Sequence, residues 1–248
     1  MPTDPVALGG LATLVGVAAV LYSSVGHAGA SGYLAAMALY GVAPAAMKPT
    51  ALVLNVLVAT LGTVRFARAG HTPWRLLLPL CAGSVPAAFL GGRMQLPTHV
   101  HEPFLAVLLI LASFRLWFPS SRVIARPRPS FAGLVLVGAV LGLAAGLTGI
   151  GGGVFLSPIL ILTGWEEPRR TAGASAPFIL VNSIAGLAGH LTSVQFVPPA
   201  IAVWAVAAIS GGLLGAAYGS RKLATRTLQR LLAAVLLTAG LKLILARR

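Results

Sequence analysis

Long apolar stretches separated by short polar segments dominate the chain, and they predict transmembrane helices. A helix needs about 20 apolar residues to cross the hydrocarbon of a bilayer. The pattern predicts eight spans, at 6–24, 49–67, 74–92, 103–118, 131–148, 172–190, 199–219 and 229–246. Two shorter apolar pieces lie at 31–47 and 152–163, and the second is too short to cross alone. The predicted fold class is therefore all-α, a polytopic membrane protein.

The pattern of interruptions occurs twice, which indicates an internal duplication. Each half has a glycine-rich break inside an apolar stretch, then a span with an asparagine, then a span with regularly spaced glycines. The offset between matching segments rises from 123 to 128 residues, as expected for a duplication with small insertions. The matching pairs are Gly26–Gly41 with Gly149–Gly164, Lys48–Asn55 with Ser175–Asn182, and Gly83–Arg93 with Gly211–Arg221.

The duplication divides the chain into a first repeat at 1–118, a cytoplasmic linker at 119–130 and a second repeat at 131–248. Each repeat is expected to contain four transmembrane helices and one short broken or re-entrant helix. Five segments are an odd number, so we expect two inverted repeats. This inference assumes that each short piece returns the chain to the side from which it came.

Composition agrees with a membrane protein and argues against other classes. Hydrophobic residues make up 57% of the chain and charged residues 9%, whereas soluble domains carry about 25% charged residues. A net charge of +14 would indicate nucleic-acid binding in a soluble protein, but basic loops fix the orientation of a membrane protein. We therefore expect a multi-pass protein of the cell inner membrane that binds no nucleic acid.

The Lys and Arg residues also predict the orientation. If the loop that holds Arg65, Arg68 and Arg75 is cytoplasmic, alternation puts most of the 18 basic residues on that side, as the positive-inside rule requires. The basic residues that then lie outside are Lys48, Arg93, Lys242, Arg247 and Arg248.

The glycine run of the second break is a candidate anion site. Non-helical backbone inside a membrane is tolerated only where it lines a cavity or is buried in protein. The short helix after the break points its N-terminus, with partial positive charge and free N–H donors, toward such a cavity, which suits an anion. The alternative is close helix packing through small residues. The candidate residues are Gly149, Gly151, Gly152 and Gly153.

The first break is less glycine-rich and more polar, and its candidates are His27, Gly29, Ala30 and Ser31. His27 can donate to an anion or carry a coupling proton; alternatively it is a neutral histidine bonded to a backbone carbonyl. Ser31, in the first turn of the short helix, either binds substrate or caps that helix.

Polar side chains inside the later spans complete the predicted site. Asn55 and Asn182 occupy matching positions, and two amides that converge on one cavity would bind a small anion. Ser175 lies on the same span as Asn182 and is a weaker candidate. The alternative for the two asparagines is interhelical hydrogen bonding that holds the bundle together.

No catalytic set is evident in the sequence. It has no Ser-His-Asp arrangement, no metal-ligand cluster and no carboxylate pair, and the four acidic residues lie in or beside predicted loops. The lone Cys81 excludes a disulfide within the chain. We therefore expect neither an enzyme nor a bound cofactor or metal.

The run Gly149-Ile-Gly-Gly-Gly-Val-Phe-Leu-Ser-Pro158 resembles the signature of the TauE/SafE sulfite exporter family, as do Arg169–Ala174, Asn182 and Gly189-His190. The resemblance covers essentially the whole chain and is more specific in the second half, because His27-Ala-Gly-Ala30 replaces an all-glycine run in the first. It implies two related halves and the transport of sulfite, sulfoacetate or related organosulfonates. The positions carried over are Gly149, Gly151, Gly152, Gly153, Pro158 and Asn182.

These features together predict a secondary transporter that holds a small oxyanion between the N-termini of two broken helices near the midplane. Its expected partners are sulfite or an organosulfonate, the lipid bilayer and, if transport is coupled, protons; outward transport is implied by the resemblance alone. A passive anion channel is an alternative, and a membrane enzyme or assembly factor is a more distant one. The sequence leaves the exact anion, the coupling ion and the oligomeric state open.

Overall fold

The computed structural model describes residues 4–94, 129–191 and 201–221, with scattered positions between 110 and 241. This part of the chain is helical and without strands. Its helices are α1 (Pro5–Ser24), α2 (Ala30–Leu39), α3 (Pro44–Arg68), α4 (Trp74–Arg93), α5 (Phe131–Thr148), α6 (Gly153–Leu162), α7 (Pro168–Leu191) and α8 (Ile201–Arg221).

Six of these helices are long and apolar enough to cross a membrane, namely α1, α3, α4, α5, α7 and α8. They confirm the predicted class, a helical membrane protein, and they coincide with six of the predicted spans. The other two predicted spans, 103–118 and 229–246, lie largely outside the described residues. The apolar helix α6 has 10 residues and matches the short piece predicted in the second half.

The short piece of the first half differs from its prediction. The apolar pattern indicated one segment over 31–47, but α2 ends at Leu39 and the next residues form a turn. Gly41 adopts a left-handed φ of 65°, a conformation that commonly ends helices. Pro44 then begins α3, since proline is well suited to the first turn of a helix. Hydropathy alone did not separate the two helices because the turn between them is also largely apolar.

The two breaks share a backbone pattern as well as a sequence pattern. Left-handed glycines occur in corresponding pairs, with φ of 79° and 72° at Gly26 and Gly149, and 109° and 83° at Gly29 and Gly152. Gly164, at 69°, is the counterpart of Gly41. Side chains rarely adopt such angles, so glycine is required before and after each short helix.

Glycines also bring helices into close backbone contact, in the pairs α4–α5, α1–α8 and α4–α7, the last with a Cβ atom on Gly92 placed 2.2 Å from the carbonyl oxygen of Gly186. A Cβ atom on Gly142 of α5 would lie 2.1 Å from the carbonyl oxygen of Ser84 in α4, and one on Gly215 of α8 would lie 2.2 Å from that of Val20 in α1. Each pair joins one helix from each half of the sequence. This close packing through small residues is repeated at Gly83, Gly91, Gly138, Gly146, Gly211 and Gly219.

An antiparallel seam joins α3 to α7, and α7 is the most buried of the candidate spans. Asn55 faces Ser183, and a Cβ atom on Gly62 would lie 3.2 Å from that of Ala176. Residue numbers therefore rise along α3 in the direction in which they fall along α7. The short helix α2 packs on α3, and α6 packs on α7, so both breaks are held against this seam.

Replacing Gly142 by alanine is expected to lower the thermal stability of the detergent-solubilised protein. Its methyl group would lie 2.1 Å from a backbone oxygen, so α4 and α5 must separate, and overpacking of this kind costs about 1–3 kcal/mol. Gly9→Ala is the matched control, since nothing lies within 4 Å of its Cβ position and alanine is the better helix former. Unfolding is measured by size-exclusion chromatography after heating. Equal unfolding midpoints for the two variants would contradict the close contact.

Candidate functional site

A chain of polar side chains links the first break to the second. His27 Nε2 lies 2.8 Å from Ser157 Oγ and 3.0 Å from the carbonyl oxygen of Gly153. Ser157 Oγ lies 2.7 Å from Ser175 Oγ, which donates to the carbonyl oxygen of Thr171 at 2.9 Å. The chain therefore connects the first break to α6 and to α7.

The last hydrogen bond of this series, from Ser175 to the carbonyl oxygen of Thr171, fixes the proton positions along the series. Because Ser175 donates to a carbonyl, its oxygen accepts from Ser157, and Ser157 in turn accepts from His27. Nε2 of His27 thus carries a hydrogen. The other ring nitrogen, Nδ1, is buried and has no hydrogen-bond partner among the described residues, although buried polar atoms are normally paired.

Asn55 supports the backbone of the second break. Its Nδ2 donates to the carbonyl oxygen of Ile150 at 3.2 Å and lies 3.4 Å from Ser183 Oγ. Asn55 is fully buried. The side chain of a first-half helix therefore replaces a hydrogen bond that the broken helix of the second half has lost.

Asn182, the counterpart of Asn55, is bonded differently. Its Nδ2 donates to the carbonyl oxygen of Phe178 in its own helix, at 2.8 Å. The Oδ1 atoms of both asparagines are buried and unpartnered within the described part of the chain, as is Thr50 Oγ1. The two amides thus share a position in their repeats but not a hydrogen-bonding role.

The glycines of the second break allow these side chains to approach the backbone. A Cβ atom on Gly151 would lie 2.7 Å from Ser183 Oγ and 2.9 Å from Asn55 Nδ2. At Gly153 it would lie 2.3 Å from Ile179 Cδ1 and 3.1 Å from the His27 ring. The structure therefore brings together His27, Asn55 and the glycine run.

The N-terminus of α6 is buried in this cluster and lacks a side-chain cap. Gly152 stands at its N-cap position with φ of 83°, and no side chain accepts from the first turn. The first N–H groups of a helix have no partner within the helix. Buried and uncapped, they present donors and partial positive charge to whatever occupies the site.

Ser31 is directed elsewhere. Its hydroxyl donates to Tyr22 Oη at 2.7 Å, and it lines a groove of about 250 Å³ between α1 and α2. Gly29 and Ala30 precede it, and a Cβ atom on Gly29 would lie 2.8 Å from the Tyr33 ring. The first break therefore contributes His27 to the cluster around the second break, whereas Ser31 packs against α1.

Two polar residues of this cluster were not predicted from the sequence. Ser157 lies within the quoted family signature, and its isolation among apolar residues of a short helix was a usable signal. Ser183 follows Asn182 directly and gave no signal of its own, because only the pairing of α3 with α7 places it beside Asn55. Within the described residues, no group of three His, Cys, Asp or Glu side chains could hold a metal ion.

Comparison with known proteins extends these observations. The family model described as sulfite exporter TauE/SafE matches residues 11–243. The chain is 40% identical over 240 residues to the probable membrane transporter protein y4hK of Sinorhizobium fredii, covering 95% of this chain and 97% of that protein. No solved structure matches the chain significantly.

Replacing Gly151 by alanine is expected to disturb the cluster more than replacing Gly41. Alanine is strained at both positions, which have φ of 82° and 65°. Only at Gly151 would the methyl group meet side chains, since nothing lies within 4 Å of the Cβ position of Gly41. We expect G151A to unfold at a lower temperature than G41A, with the difference reduced when Ser183→Ala and Asn55→Ala remove two of the three nearest contacting atoms, the third being Cγ2 of Ile179. If G151A lowers the unfolding temperature no more than G41A does, the contact at Gly151 is unimportant.

Proposed function

The chain belongs to the TauE/SafE sulfite exporter family, and on that premise we propose that it is a secondary transporter that exports a small sulfur-containing oxyanion across the cell inner membrane. Sulfite or an organosulfonate such as sulfoacetate is the proposed substrate. The proposal rests on family membership together with the cluster around the second break.

The observation that carries the proposal is the buried, uncapped N-terminus of α6. A buried helix end without a partner is unfavourable unless a ligand completes it. An oxyanion accepts several hydrogen bonds at once and is stabilised by the partial positive charge of the helix. We propose that the N–H groups after Gly152 bind the substrate and that the amides of Asn55 and Asn182 orient it.

His27 supplies a route for coupling anion movement to protons. In the neutral ring Nε2 carries the hydrogen that Ser157 accepts, so an additional proton goes to Nδ1. The resulting cation holds an N–H group at Nδ1 without a partner among the described residues. A bound anion would stabilise that cation, and the cation would strengthen anion binding. We infer that proton and anion bind cooperatively.

The packing supports an inverted-repeat arrangement with alternating access. The corresponding helices α3 and α7 run antiparallel, and the contact of α4 with α5 corresponds to that of α8 with α1. Asn55 bonds across to Ile150, whereas Asn182 bonds within its own helix. We propose that these roles exchange in the opposite-facing state, where Asn182 bonds to the carbonyl of His27, the residue that corresponds to Ile150.

Replacing Asn55 or Asn182 by aspartate is expected to reduce saturable sulfite flux in proteoliposomes at least tenfold. The substitution keeps the side-chain size, removes two donors and adds a negative charge that repels the anion; a hydrogen bond to a charged group contributes about 1.5–3 kcal/mol. Thr60→Val is the control, because Thr60 is exposed and bonds within α3. Flux that never saturates in the wild-type protein would favour a channel, and normal flux in both aspartate variants would exclude this site.

Replacing His27 by glutamine is expected to uncouple sulfite flux from an imposed pH gradient. Glutamine can still donate to Ser157 but cannot gain a proton. We expect the wild-type rate to change with the gradient, and the H27Q rate to persist downhill without that response. A gradient response retained by H27Q would contradict proton coupling at this residue.

A further inference from the structure

A pair of basic residues lies at one end of the seam between α3 and α7. The contacts of Leu52 with Gly186 and of Asn55 with Ser183 define the antiparallel register. Continuing that register by one more turn from Leu52 brings Lys48 opposite His190. The two side chains are close enough to interact electrostatically, as the register predicts.

Neither side chain extends freely into solvent. The side chain of His190 is 7% exposed, and its Nε2 has no hydrogen-bond partner in the described part of the chain. Lys48 is half-buried, and its stem crosses the start of the second break, where a Cβ atom on Gly149 would lie 2.7 Å from Lys48 Cγ. Glycine at position 149 therefore makes room for the lysine as well as for the turn.

No acidic residue pairs with these two groups among the described residues. Asp4 accepts from the N-terminus of α1, and Glu166 forms an ion pair with Arg170 at 3.0 Å. Glu167 precedes the start of α7, at the end opposite His190. Partly buried basic groups are normally compensated by a negative charge. Lys48 and His190 are adjacent and have no compensating negative charge among the described residues, and Nε2 of His190 is buried without a partner there. Together they form an incomplete anion site.

We propose that Lys48 and His190 form a second binding site for the transported oxyanion, at the entrance to the central cluster. Asn55 lies seven residues beyond Lys48 on the same face of α3, a separation of about 10 Å at 1.5 Å per residue. An anion can therefore pass between the two sites along the seam. The identity of the substrate in this proposal rests on the proposed function.

Within the described part of the chain, this pair of basic side chains occurs at one end of the seam. The residue that corresponds to Lys48 in the other repeat is Ser175, which is bonded to Ser157 and Thr171. The end of α3 that carries Arg65 and Arg68 is the opposite one, so the orientation expected from the basic residues puts Lys48 and His190 outside the cell. For an exporter, this site receives the anion on the release side.

Membrane vesicles of known orientation test this proposal directly. Initial sulfite flux is measured against sulfite concentration in right-side-out and in inverted membrane vesicles that contain the full chain. We expect Lys48→Gln and His190→Gln each to raise the half-saturating concentration about tenfold at the outer face, the effect of losing one charge-assisted hydrogen bond, and to leave the inner face unchanged. Arg68→Gln, which removes a charge from the other end of α3, should have no such one-sided effect. Unchanged or equally raised values at both faces would overturn the proposal.

A binding measurement separates this proposal from the proposed function. In the Asn182→Asp variant the central site is expected to exclude anions, so any remaining sulfite binding reports on the second site. We expect sodium sulfite to raise the unfolding temperature of purified N182D above that in sodium chloride of equal ionic strength, and to fail to do so when Lys48→Gln and His190→Gln are added. If sulfite stabilises N182D in this way but the wild-type protein transports no sulfite, the second site stands and the proposed function is wrong. No specific stabilisation of N182D by sulfite would overturn the site.

Discussion

Every backbone N–H and C=O group inside the hydrocarbon needs a partner within the protein, and two helix breaks make this requirement the central constraint on the structure. At the second break, Asn55 donates to the Ile150 carbonyl and His27 Nε2 lies beside the Gly153 carbonyl. Each of these two carbonyl groups thus has a side chain from the other half as a neighbour. The N–H groups at the start of α6 have no side-chain cap, and in our proposal an anion completes them. The same unsatisfied groups therefore connect the folding problem to the proposed transport.

Close backbone packing limits which parts of the bundle can move. The α4–α5 and α1–α8 pairs are in contact through glycines, and each joins helices from both halves of the sequence. The sequence halves are therefore not separate structural bodies. The α4–α7 contact is equally close, since a Cβ atom on Gly92 would lie 2.2 Å from the carbonyl oxygen of Gly186. Sliding within any of these contacts would drive backbone atoms together, so an alternation of access that keeps them moves α4, α5 and α7 together.

The proposed chemistry lies where the two copies have diverged. The left-handed glycines recur at matching positions because both breaks need the same backbone. Their side-chain environments differ: His27 corresponds to Ile150, and Lys48 corresponds to Ser175. Under the proposed function, such a scaffold with asymmetrical charge would bind an anion in both orientations of access and still treat the two sides of the membrane differently.

The sequence by itself determined the class, six helices of the bundle and the positions of both breaks, because hydropathy and glycine placement are local properties of the chain. It also marked His27, Asn55 and the glycine run as candidates, since polar residues and glycines are conspicuous in apolar sequence, and the structure brings these residues together. It could not determine that Asn55 bonds across the molecule while Asn182 bonds within its own helix, or that Ser157 and Ser183 join the cluster. Those relations depend on the register of α3 against α7 and on the docking of α6. Only the tertiary structure decided them, because each requires contact between residues more than a hundred positions apart or on helices whose relative rotation is fixed by packing.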